Sequence, residues 1–144
     1  MNLGRELRSL RYAEGWRVWC VRETASGLRL ASVVHDGDWP VGGELVACCV
    51  DGGHGIHAAR DPAAIWSYLR GRDEADVIAR VLGRVALTGH VVEHEHGWRG
   101  ERAYPLSFVT DDPRMQSLLD ANRVRVRHAR QRHRVPVRRQ RARA

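Results

Sequence analysis

An α+β domain, with a curved, mainly antiparallel sheet, a mid-chain helix, a C-terminal helix and a basic tail, is the fold predicted for these 144 residues. Three observations lead there. Short apolar runs alternating with period two, separated by Gly- and Asp-rich turns, outnumber the stretches of helical period. Two segments, at Asp61-Pro62 and Asp112-Pro113, pair an acid with a proline, the chemistry of a helix start. Charge is also divided: ten arginines and no acid follow from Arg123 onward, whereas residues 1–122 carry 14 arginines against 17 acids, a net of −3. The expected organisation is a single domain over 1–122 and an Arg-rich tail over 123–144.

Taken in order, Leu3, Leu7 and Leu10 fall on one helical face and predict a short amphipathic helix before Gly15. WRVWCVR at 16–22 alternates as a strand, with Trp16, Val18 and Cys20 on one face and Arg17, Trp19 and Val21 on the other. The turn residues Ala25-Ser26-Gly27 separate it from a second strand over 28–34. HDGDWPVGG is a loop, and ELVACCV at 44–50 a short β segment. Over 62–70 a helix is expected, with Asp61 as N-cap, Pro62 at the first helical position and Gly71 as a left-handed stop; Ile65, Tyr68 and Leu69 supply its buried face. The stretch 77–96 is too β-branched for one helix and reads as two strands, 77–88 and 90–96, with Gly83 and Gly89 as bulges or bends. A further strand covers 102–109, and the following helix buries Met115, Leu118 and Leu119.

Composition excludes several classes. With 43% hydrophobic residues the chain can bury one modest core and is not disordered throughout. Three cysteines, Cys20, Cys48 and Cys49, two of them adjacent, do not make a secreted disulfide framework. The N-terminus lacks a signal-peptide core and no apolar run approaches a membrane span, so a cytoplasmic protein is expected. All 24 basic residues are arginine.

The chemistry-bearing groups are few. Cys48, Cys49, His54 and His57 are the candidate metal ligands, but neighbouring strand residues point to opposite faces, so both sulfurs reach one ion only if the chain bulges. No zinc site is expected. His90, His94 and His96 share a strand face with Val92, and Glu93 and Glu95 share the other with Val91; the simplest reading is a solvated strand face. In the tail, Arg125, Arg127, Arg130, Arg132, Arg134, Arg138, Arg139 and Arg141 form an electrostatic footprint suited to an RNA or DNA backbone.

Two resemblances add to this. The span 39–105, with Trp39-Pro40, GIHAARDP and VVEHEHGWRGERAYP, looks like a family of small actinobacterial and phage-encoded proteins, a resemblance that implies no particular activity. Members of that family carry a richer Cys/His cluster before the Gly-Ile turn; here His54 stands where a cysteine would be expected. GIHAARDPAAIWSYL is in turn similar to the Gly-Ile-Tyr-Phe-Ala stretch of the poly(ADP-ribose) polymerase catalytic domain, where two tyrosines eleven residues apart sandwich nicotinamide. That resemblance implies His57 and Tyr68 as the sandwich, NAD as the ligand and Glu101 as the catalytic glutamate. The sequence departs from it at His57, which replaces a tyrosine, and at Cys20, which stands where a histidine follows the strand tryptophan. The leading expectation is a small cytoplasmic accessory or binding protein, not an enzyme and without a cofactor, whose tail contacts a polyanion. The alternative is an ADP-ribosyltransferase-like fold binding NAD or a nucleotide at His57, Tyr68 and Glu101.

Overall fold

The computed structural model describes residues 1–33, 37–71 and 73–121. The Arg-rich stretch, with every arginine expected to meet a polyanion, lies outside the described residues. Among the described residues six strands are formed: β1 (Glu6–Thr24), β2 (Gly27–Ser32), β3 (Leu45–Val46), β4 (Ile56–Ala59), β5 (Val77–His94) and β6 (Gly97–Val109). All pairings are antiparallel, and α+β is the class observed.

The sheet curls until it meets itself. β1 pairs along β5, from Glu6 opposite His94 to Arg22 opposite Val77, and β5 returns along β6. β6 pairs β4 through Ile56–Ala59, and β4 reaches β1 through a single pair, Trp16 opposite Ala59. Four strands therefore close a ring that removes most open edges, while β2 and β3 extend it at the outer edges of β1 and β6. Register breaks supply the curvature, as bulges do in natural sheets. Five interrupt β1–β5 and β5–β6, and one spans Thr88 to Val91 around Gly89, whose φ of +77° suits glycine.

Inside the ring a cluster forms around Trp19, Val21, Leu30, Trp39, Val85, Leu87 and Val91, with Trp19 edge-on to both Trp39 and Phe108. A helix over 113–121 packs Met115 and Leu118 against this cluster and buries Leu119 as well. Asp112 starts it, its Oδ1 accepting from the Arg114 N–H at 2.9 Å and its backbone carbonyl from the Met115 N–H. On the outside of β1 a smaller cluster joins Val18, Ala59 and Ile65 to Trp16, Tyr68 and Leu82.

Four local expectations are corrected. No N-terminal helix forms: residues 6–10 are the start of β1, hydrogen-bonded to 91–94, and Leu7 points to solvent. Ladder hydrogen bonds to a long partner strand satisfy that backbone without any helical face to bury. The segment 77–94 is one strand, with Gly83 in register with Arg17 and Phe108; the Trp19 ring and the Ser107 carbonyl fill the place its side chain would take. Residues 62–69 form a 3-10 helix, which aligns Ile65 and Tyr68, three apart, on one face. Asp61 caps it as expected, accepting from the Ala63 N–H at 2.9 Å, but Arg70 closes it in an extended conformation and Gly71 makes no left-handed stop. Finally, β3 shrinks to two residues within the expected 44–50 segment.

Candidate functional site

The ring is weakest where β4 meets β1 through one residue pair, and there the glycine-rich turn preceding β4 opens a cavity. Gly52, Gly53 and Gly55 all hold positive φ. At Gly55 the constraint is also steric, since a Cβ would lie 3.1 Å from the Gly100 carbonyl and 3.3 Å from a Val50 methyl. The turn carries its own clasp: His57 Nε2–H donates to the Gly53 carbonyl at 3.1 Å, and the His54 N–H donates to the Asp51 carbonyl at 3.1 Å.

Two arginines grip the turn from outside. Arg99, almost wholly buried, donates through Nη1 to the His54 carbonyl at 3.2 Å, through Nη2 to Glu6 at 3.2 Å, and through Nε to His94 Nε2 at 3.0 Å. Arg17, from the middle of β1, donates through Nη1 to the His57 carbonyl at 2.8 Å and through Nη2 to Ser32 Oγ at 3.2 Å. The two differ in charge compensation. Arg99 has the Glu6 carboxylate, whereas the Arg17 guanidinium has no acidic side chain acting on it among the described residues. Its Nε–H is buried without a hydrogen-bond partner among the described residues. Burial alone pushes its pKa down to about 10, so it stays charged at neutral pH. The Trp39 ring, 5.2 Å from the guanidinium carbon, gives part of the compensation that a carboxylate would.

Arg17 faces a cavity of about 380 Å³, within the roughly 300–1,000 Å³ of small-molecule sites. Trp16, Val18, Ile56, Ile65 and Tyr68 contribute apolar lining, and Arg17, Ser32, His54 and His57 contribute polar groups. His57 is held below the ordinary imidazole pKa, first by burial and also by the nearby cationic groups, Arg17 and Arg99 among them, against the pull of its Gly53 bond. It is therefore neutral at pH 7. With Nε2–H committed to Gly53, Nδ1 keeps its lone pair. The lining is amphiphilic: it combines a cation that has no acidic partner among the described residues with flat or branched apolar surface.

Of the residues expected at a site, the structure brings His57, Tyr68 and His54 to this cavity. Glu101 is not among its lining residues; its side chain lies against Gly89 and 3.6 Å from Arg102 Nε. Cys48 and Cys49 sit in the loop after β3 with their sulfurs 3.7 Å apart, and no three His, Cys, Asp or Glu side chains among the described residues are grouped to hold a metal. The histidines of β5 go separate ways. His94 donates through Nδ1 to the Gly4 carbonyl and accepts from Arg99, which uses both nitrogens, while His90 meets Ser9. Glu93 pairs with Arg8 and Arg60, which hold its carboxyl below the usual carboxylate range, and Glu95 pairs with Arg5. Arg17 and Ser32 were not singled out by their sequence. The available signal was an arginine on the same strand face as Trp19 and Val21, where a core-facing side chain belongs.

No protein-family model matches the chain, and no curated protein or solved structure matches it significantly. Among the described residues no helix is long and apolar enough to cross a membrane.

Proposed function

We propose that this protein is a binding module for a small organic anion, with the ligand's acidic group on Arg17 and its apolar body against Trp16, Ile65 and Tyr68. The observation that carries the reading is the half-buried Arg17 guanidinium, which lines the cavity with no acidic side chain acting on it among the described residues. Holding a charge there costs folding energy and stabilises nothing comparable in return. An arriving carboxylate, sulfonate or phosphate offsets that cost and fills the spare donors, a charge-assisted interaction strong in geometry and in energy. Calorimetric titration with naphthalene sulfonate and with the neutral naphthalene methanol tests this. The sulfonate is expected to bind one to one and the alcohol at least tenfold more weakly, and Arg17→Met should abolish the difference. Equal binding of the two ligands by the unaltered protein would overturn the reading.

A nicotinamide nucleotide belongs to this class of ligand, and His57 and Tyr68 both line the cavity. Binding is the part of that reading supported here. Group transfer would need a carboxylate beside the bound sugar, and Glu101 stands elsewhere.

Composition favours a second activity for the same chain. Ten arginines without an acid over 123–144 suit contact with a nucleic-acid backbone, independent of base sequence. Deleting 123–144 is expected to remove salt-sensitive retention of RNA while leaving naphthalene sulfonate binding unchanged. Unchanged RNA retention at low salt would contradict it.

A further inference from the structure

Away from the cavity lining, the loop between β3 and the glycine turn carries two adjacent thiols. Cys48 is exposed and Cys49 half-buried, both as free thiols. The chain is fixed on either side of them: the Ala47 N–H donates to the Glu101 carbonyl at 2.8 Å, and Val50 is buried. A bend at Cys48 breaks the strand alternation that would have sent the side chains apart, and the two sulfurs stand 3.7 Å from one another.

That spacing discriminates between the things two thiols can hold. A disulfide needs sulfurs about 2.05 Å apart. A linear two-coordinate centre with thiolate bonds of about 2.3 Å needs about 4.6 Å. The same bonds meeting at angles between a right angle and the tetrahedral value place the sulfurs about 3.3–3.8 Å apart, the range that contains the observed distance. Structural zinc would require two more protein ligands, and no third His, Cys, Asp or Glu is grouped with the pair among the described residues. A trivalent centre that already bears one substituent needs only two sulfurs.

We infer that Cys48 and Cys49 form a bidentate dithiol site for a trivalent organoarsenical or a thiophilic metalloid of the same shape. The capture is a condensation. Two S–As bonds form, the As=O bond breaks, and the two thiol protons leave with that oxygen as one water; no electrons are transferred.

Full-length protein treated with phenylarsine oxide, under a phosphine reductant, is expected to gain one phenylarsenic group with loss of one water by intact mass. The adduct should withstand excess monothiol and be stripped by ethane dithiol. Cys48→Ser and Cys49→Ser should each make it at least tenfold easier to strip with monothiol, while Cys20→Ser, altering a buried thiol, leaves it unchanged. Circular dichroism confirms that the serine variants, at accessible positions, remain folded. An adduct as readily stripped by monothiol in the unaltered protein, or one that survives Cys48→Ser intact, would overturn the assignment.

Discussion

Replacing Arg17 with methionine should stabilise the ligand-free protein while it destroys the site. Burial lowers the guanidinium pKa to about 10, which at about 1.4 kcal/mol per unit is a penalty of about 3 kcal/mol on the charged form. Against this stand the hydrogen bonds to the His57 carbonyl and Ser32 Oγ and the face of Trp39, together worth about 1–2 kcal/mol net. Ser32 keeps its bond from Trp39 Nε1 at 3.1 Å in the variant, so the loss is smaller still. Methionine fills similar length with an apolar chain. The net expectation is a gain of about 1–2 kcal/mol, in line with other buried charges replaced by apolar groups, or about 3–8 °C in Tm. Because the folded pKa lies below the unfolded one, the penalty is complete at all pH values below about 10 and is relieved only above it. The gain should therefore be the same at pH 6 and pH 8. Urea denaturation followed by tryptophan fluorescence measures it. A loss of 2 kcal/mol or more would show that Arg17 is a structural clamp and that its charge is not held for a ligand.

Three further outcomes follow from the same geometry. Gly55→Ala puts a side chain at φ +116° and 3.1 Å from the Gly100 carbonyl, and should cost about 1–3 kcal/mol with loss of naphthalene sulfonate affinity, both read from titrations of the purified variant. His57, held below its ordinary value of 6.5 by burial, binds fewer protons folded than unfolded in the interval between the two values. Stability should accordingly fall as pH is lowered through that interval, and His57→Gln should flatten this part of a pH series of urea midpoints. Met115→Ala should lower stability by about 2–4 kcal/mol, since its side chain is 2% exposed within the ring's main cluster; a change below 0.5 kcal/mol would mean that the helix over 113–121 does not dock.

The helix starts were legible because their chemistry is local. Asp61 and Asp112 each cap through their own side chain within two residues, and Met115, Leu118 and Leu119 are buried as their spacing requires. The N-terminal stretch was not legible, because Leu3, Leu7 and Leu10 fit a helical face and only the presence of 91–94 alongside decides for a strand. Alternation read correctly between Trp16 and Val21, where β1 runs regularly, and failed at Cys48-Cys49, where a bend cancels it. At the cavity, the glycine turn announced His57 through three glycines in four positions, and the following capped segment announced Tyr68. Arg17 was hidden by its setting: one guanidinium among 24 in the chain looks ordinary until its partners can be counted. Glu101 followed from a motif, and a motif does not fix which side of a twisted, bulged strand faces a cavity.

The most direct test is the Arg17 Nε–H itself, observed by NMR on nitrogen-15-labelled full-length protein at low temperature. Its cross-peak is identified by disappearance in Arg17→Met. Naphthalene sulfonate is expected to shift that peak saturably, as an anion settles on the same guanidinium, while other arginine Nε–H signals move little. A stationary Arg17 peak, with shifts confined to the many other arginines, would contradict the central claim.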